Sequence, residues 1–107
     1  MTPLGYVATQ LGLSDADVES LVLSRKEQER GAKIVDVRLG GREDGGPHSE
    51  LVALAAVIET RGRTFERLAF GLMLPGRVAG AFRLDSSAAQ AVSDLALGAA
   101  HQFARMR

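Results

Sequence analysis

The sequence predicts a single α+β domain in the order ααββββα: an N-terminal helical hairpin, an antiparallel sheet of three to four strands, and a C-terminal helix packed on the sheet. Three observations carry that expectation. Apolar residues recur at helical spacing up to Gly31, with start and stop residues in place. Two apolar runs, 51–58 and 65–74, flank the polar link 59–64, which is a hairpin pattern. A third helical stripe follows Asp85. A chain of 107 residues suits one core and is too short for two. The helical pair is expected over 1–31 and the sheet with its closing helix over 32–107.

In the first helix, Leu4, Val7, Ala8 and Leu11 form the stripe, Pro3 suits the first turn and Gly12 the stop. The second opens at Ser14, an N-cap, with Asp15 and Asp17 where the helix dipole favours negative charge. It is expected to continue past Arg25, Lys26 and Arg30 and to end at Gly31, burying Val18, Leu21 and Val22.

Residues 4–23 resemble the helix-turn-helix family: Ala8 at the small position of the first helix, Gly12 in the turn, and Val18 and Leu21 on the second helix. The resemblance covers only that stretch, and it implies a DNA-binding regulator in which the sheet and last helix dimerise. The chemistry of the second helix opposes this, because Asp15, Asp17 and Glu19 stand where a DNA reader usually presents Arg, Lys, Asn or Gln.

Residues 33–39 alternate, with Val35, Val37 and Leu39 on one side and Ile34, Asp36 and Arg38 on the other, the period of a half-buried strand. Residues 40–47 hold four glycines, a proline and three charges, and read as a mobile connector. They lack the Gly-Lys-Ser/Thr ending of a phosphate loop.

The run 51–58 could also be a buried helix, since Ala and Leu favour helices and Ser49 could cap it. Strands are preferred because the run is short, ends in Val57-Ile58, and leads into Arg61-Gly62 and Thr64-Phe65. A two-residue turn at Arg61-Gly62 pairs Val57 with Glu66, Ala55 with Leu68, Ala53 with Phe70 and Leu51 with Leu72 on one face. That face is expected to form the core under the last helix. The other carries Val52, Leu54, Ala56 and Ile58 beside Phe65, Arg67, Ala69 and Gly71, and is expected to meet a partner.

Pro75-Gly76 marks a turn, and residues 77–84 alternate as a fourth strand weakened by Gly80. Asp85 or Ser86 caps the last helix, whose stripe is Ala88, Val92, Leu95, Ala99 and Phe103.

Basic and acidic residues balance, 13 against 13, so the chain as a whole has no electrostatic footprint for nucleic acid or an acidic membrane. Arg61, Arg63, Arg67, Arg77 and Arg83 leave room for a local basic strip, interleaved with Glu59, Glu66 and Asp85. With no cysteine there is neither disulfide nor thiolate chemistry. No basic, apolar leader and no bilayer-length run is seen, and the expected location is cytoplasmic.

His48 and His101 lack neighbours at ligand spacing, Ser14, Ser49 and Ser86 read as caps, and Glu43-Asp44 sits on a glycine-rich segment. No metal, cofactor or catalytic residue is expected. The function expected is therefore a non-catalytic protein-interaction module, self-associating or binding another protein through the sheet face of Val52, Leu54, Ile58, Phe65 and Arg67. Its partners exclude membranes and small molecules, and nucleic acid enters only under the helix-turn-helix alternative.

Overall fold

A computed structural model describes residues 2–85. Three helices come first: α1 (Pro3–Leu11), α2 (Asp15–Val22) and α3 (Arg25–Glu29). Four strands follow, β1 (Lys33–Gly46), β2 (Ser49–Thr60), β3 (Arg63–Leu74) and β4 (Arg77–Asp85), and they pair as an antiparallel meander in that order.

The expected order ααββββα is corrected. The helix expected to run through to Arg30 is broken in two, because Leu23 leaves the helical backbone and Ser24 starts a new turn. A reciprocal capping box fixes that start: the Ser24 hydroxyl accepts the Glu27 N–H at 3.2 Å, and the Glu27 carboxylate accepts the Ser24 N–H at 2.9 Å. Leu23 is thereby turned into the core. The closing helix expected after Asp85 lies outside the described residues, so a helix ending the order and packed on the sheet is no part of the described fold.

The α1 and α2 starts follow the sequence reading. The Thr2 and Ser14 side chains accept the N–H groups of Gly5 and Asp17, and Gly12 ends α1 in the left-handed region at φ 69°. Ala8 is buried between the two helices and the sheet.

The central hairpin has the expected register. Val57 faces Glu66, Ala55 faces Leu68, Ala53 faces Phe70 and Leu51 faces Leu72 around Arg61-Gly62. Both turn residues have positive φ, 53° and 74°, as a tight turn matched to strand twist requires.

Strand β1 departs from its expected pattern. Residues 40–46, expected as a connector, continue the strand, and the chain turns only at Pro47-His48. Register shifts at Ile34/Asp36, Leu39/Gly41 and Asp44/Gly46 let the glycine-rich stretch stay paired to β2. The first shift leaves Val35 unpaired and 52% exposed, and puts Ile34 with Val37 and Leu39 against the core. A similar shift between Leu72 and Met73 moves Val78 onto the same side as Ala81.

The two sheet faces take different cover. All buried helix residues pack with Val37, Val52, Leu54, Ala56, Ile58, Ala69 and Met73 in one cluster. The other face holds a cluster of strand residues, Leu51, Ala53, Ala55, Leu68 and Phe70, with Phe70 and Phe82 rings stacked at 6.0 Å. Close approach of α2 to the first face depends on Gly71, where an added Cβ would lie 2.7 Å from Leu21 Cδ2.

Candidate functional site

Of the five residues expected to meet a partner, Val52, Leu54 and Ile58 are fully buried and Arg67 is only 5% exposed, while Phe65 is partly buried against the same cluster. The expectation of an open face there is corrected: the N-terminal helices lie on it. The hairpin alternation alone could not show this, since both faces of β2 are apolar and the choice of cover was left to the helices.

Arg67 is the organising charge on this face. Its guanidinium binds Glu27 through Nη1 and Nη2, each at 2.7 Å, and Asp85 through Nε and Nη2 at 2.6 and 3.3 Å, donates to the Val22 carbonyl at 3.0 Å, and lies 5.2 Å from the Phe65 ring centroid. Arg83, one strand over, donates to the carbonyls of Leu21 at 3.0 Å and Ser20 at 2.6 Å. Two strand arginines thus answer the carbonyls that the end of α2 leaves without helical partners, and they do so where the helix dipole favours cations.

The electrostatics follow from these contacts. The hydrogen bonds from Arg67, strengthened by those from Ser24 and opposed by burial, lower the Glu27 carboxyl to about 2. Pairing with Glu27, and then with Asp85, raises Arg67, whereas burial lowers Arg83 and the neighbouring Arg67 charge adds to that. No buried side-chain N or O among the described residues is left without a partner. The expected basic strip is accordingly divided: Arg67 and Arg83 are tied inward, while Arg61, Arg63 and Arg77 are exposed.

The opposite end of the sheet carries a recess of about 660 Å³ where three turns converge. They are the α1–α2 turn at Leu11-Gly12-Leu13, the β1–β2 turn at residues 46–49 and the β3–β4 turn at residues 74–76. Half-buried Leu13 and Leu74 give it apolar surface over the buried side chains of Leu11 and Met73, and Asp44, His48, Ser49 and Glu50 supply its polar groups. Its size falls in the range of ligand sites.

Local chemistry builds each wall. Gly12, Gly46, His48 and Gly76 all adopt positive φ, so three sharp reversals fit at one end of the sheet. Glu50 is fixed by Arg42, whose Nη2 and Nε lie 2.9 and 3.2 Å from its two oxygens. Arg42 also donates to the Gln10 carbonyl at 3.0 Å, tying the recess wall to α1. Asp44 accepts the Gly46 N–H at 3.0 Å and forms no ion pair among the described residues.

This recess was not legible in the sequence. Its lining comes from three separated stretches, and residues 40–47 read as a connector rather than as one wall of a site. The available signals were the turn residues Gly12, Pro47 and Pro75-Gly76, which mark reversals without saying that they meet.

Among the described residues, no group of three or more His, Asp or Glu is placed to hold a metal ion, and no helix is long and apolar enough to cross a membrane. No family model matches the chain, and neither a curated protein nor a solved structure matches it.

Proposed function

We propose that this protein is a non-catalytic interaction module that takes a segment of another protein, or of a second copy, at the recess where its three turns converge. The observation that supports it is the contrast in chemistry inside the molecule. The perturbed charges Glu27, Arg67 and Arg83 are all engaged in holding helix to sheet. The recess instead offers apolar side chains and a rim of polar groups, a combination suited to gripping a partner's side chains.

Sedimentation equilibrium of the full chain up to millimolar concentration tests the self-association arm. A concentration-dependent rise in mass is expected, and a strict monomer would remove that arm.

A second reading, DNA binding by the α1–α2 hairpin, is favoured by buried Ala8 and left-handed Gly12 and opposed by the exposed Asp15 and Asp17. Fluorescence anisotropy with duplex DNA at low salt separates the two. No binding at micromolar protein ends the DNA reading, because non-specific affinity would already be visible there.

A further inference from the structure

We infer that the recess takes a short cationic segment of a partner protein, one in which Lys or Arg stands beside an aliphatic residue. The inference rests on the interaction-module reading and names the chemistry of the occupant.

Charge comes first. The lining contains two carboxylates, Asp44 and Glu50, and no Lys or Arg. Glu50 spends both oxygens on Arg42, so it shapes the rim more than it attracts charge. Asp44 differs: it is exposed, one of its oxygens accepts a backbone N–H, and no cation among the described residues pairs with it. An incoming ammonium or guanidinium would pair with this carboxylate, a complementarity that favours a cationic guest over an anionic one.

Shape and surface come second. Leu13 and Leu74, both half-buried, offer apolar contact next to that carboxylate, over a floor of the buried core residues Leu11 and Met73. A Cβ added at Gly12 or Gly76 would meet nothing within 4 Å, so the backbone at two of the three turns is open to close approach. An aliphatic side chain next to a cation matches this pairing of surfaces. An acidic segment would meet uncompensated like charge, which is the element that discriminates.

The test is an NMR titration of the full-length protein with two capped peptides, acetyl-Leu-Arg-Leu-Lys-amide and acetyl-Leu-Glu-Leu-Glu-amide. Saturable shifts confined to Gly12, Asp44, Met73, Gly76 and their neighbours are expected with the basic peptide, and binding about tenfold weaker with the acidic one. Asp44→Lys should weaken the basic peptide at least about tenfold and relieve the acidic one, with the amide spectrum elsewhere unchanged. Absence of saturable shifts, or equal binding of both peptides, overturns the cationic assignment.

Sedimentation of wild-type and Asp44→Lys protein, run in parallel, keeps the two readings apart. Self-association that persists unchanged in the variant while neither peptide binds would overturn the recess as the docking site and leave an interaction module that works elsewhere. Loss of self-association in the variant, together with selective basic-peptide binding, supports both.

Discussion

The two ends of the sheet use charge in opposite ways. Towards the β2–β3 turn, Arg67 is surrounded by Glu27, Asp85 and the Val22 carbonyl, and Arg83 answers further carbonyls of α2. At the other end, three turns border an open recess in which the exposed Asp44 accepts a backbone N–H and forms no ion pair among the described residues. The first arrangement closes a structure, and the second leaves a carboxylate facing solvent. A buried charge that is fully paired makes the helix–sheet junction specific, since removing any partner strands the others. An exposed carboxylate beside apolar side chains adds little to stability and is free to serve recognition.

That contrast can be broken by substitution, beginning at the closed face. Ile58→Arg places a charge at a site with no exposure, under the helices. It should cost about 4 kcal/mol or more and abolish the cooperative unfolding transition seen by circular dichroism. A folded, wild-type-like variant would mean that the helices do not cover this face.

Arg67→Met is next in size. It removes the guanidinium donor from Glu27, Asp85 and the Val22 carbonyl, and a loss of about 2–4 kcal/mol is expected in urea unfolding, towards the low end because Asp85 keeps access to water and Glu27 keeps the Ser24 N–H. Adding Glu27→Met to that variant should recover part of the loss. Strict additivity of the two would show that the side chains do not act as a unit.

The same pair predicts a pH dependence. Glu27 titrates at about 2 in the folded chain against an ordinary 4.5, so the unfolded chain binds its proton first as pH falls. The stabilisation is fully present above about 4.5 and is lost progressively as pH drops toward 2. Unfolding midpoints measured across that window should decline less steeply in Glu27→Gln than in wild type. Identical slopes would contradict the pairing.

Ser24→Ala removes the side-chain half of the capping box and should cost about 1 kcal/mol, read as a lower unfolding midpoint. Asp44→Asn is the smallest, within about 0.5 kcal/mol of wild type, as expected of an exposed residue outside the core. A large loss there would make Asp44 structural and weaken its role in recognition.

Local pattern reached some elements and missed others for identifiable reasons. The start of α2 and the left-handed stop at Gly12 were legible because a cap and a positive φ are properties of one or two residues. The hairpin register was legible because Arg61-Gly62 fixes it and side chains alternate with period two. The break at Ser24 was also written in the chain, as Ser24-Arg25-Lys26-Glu27, a capping box hidden inside a longer helical stretch of polar residues. The continuation of β1 through residues 40–46 was not, because glycines signal a loop until a neighbouring strand supplies partners and bulges absorb the mismatch.

By itself, then, the sequence determined the α+β class, the caps and the strand pairing of β2 with β3, all set by contacts between near neighbours in the chain. Tertiary structure decided which sheet face the helices cover, because both faces of β2 are apolar and no local rule ranks them. It also decided the role of Arg67, which reads as one basic residue among five until Glu27, 40 residues away, is folded against it. The recess was decided in the same way: its walls are separate turns, and only the antiparallel meander brings two of them to the end of the sheet where α1 turns into α2.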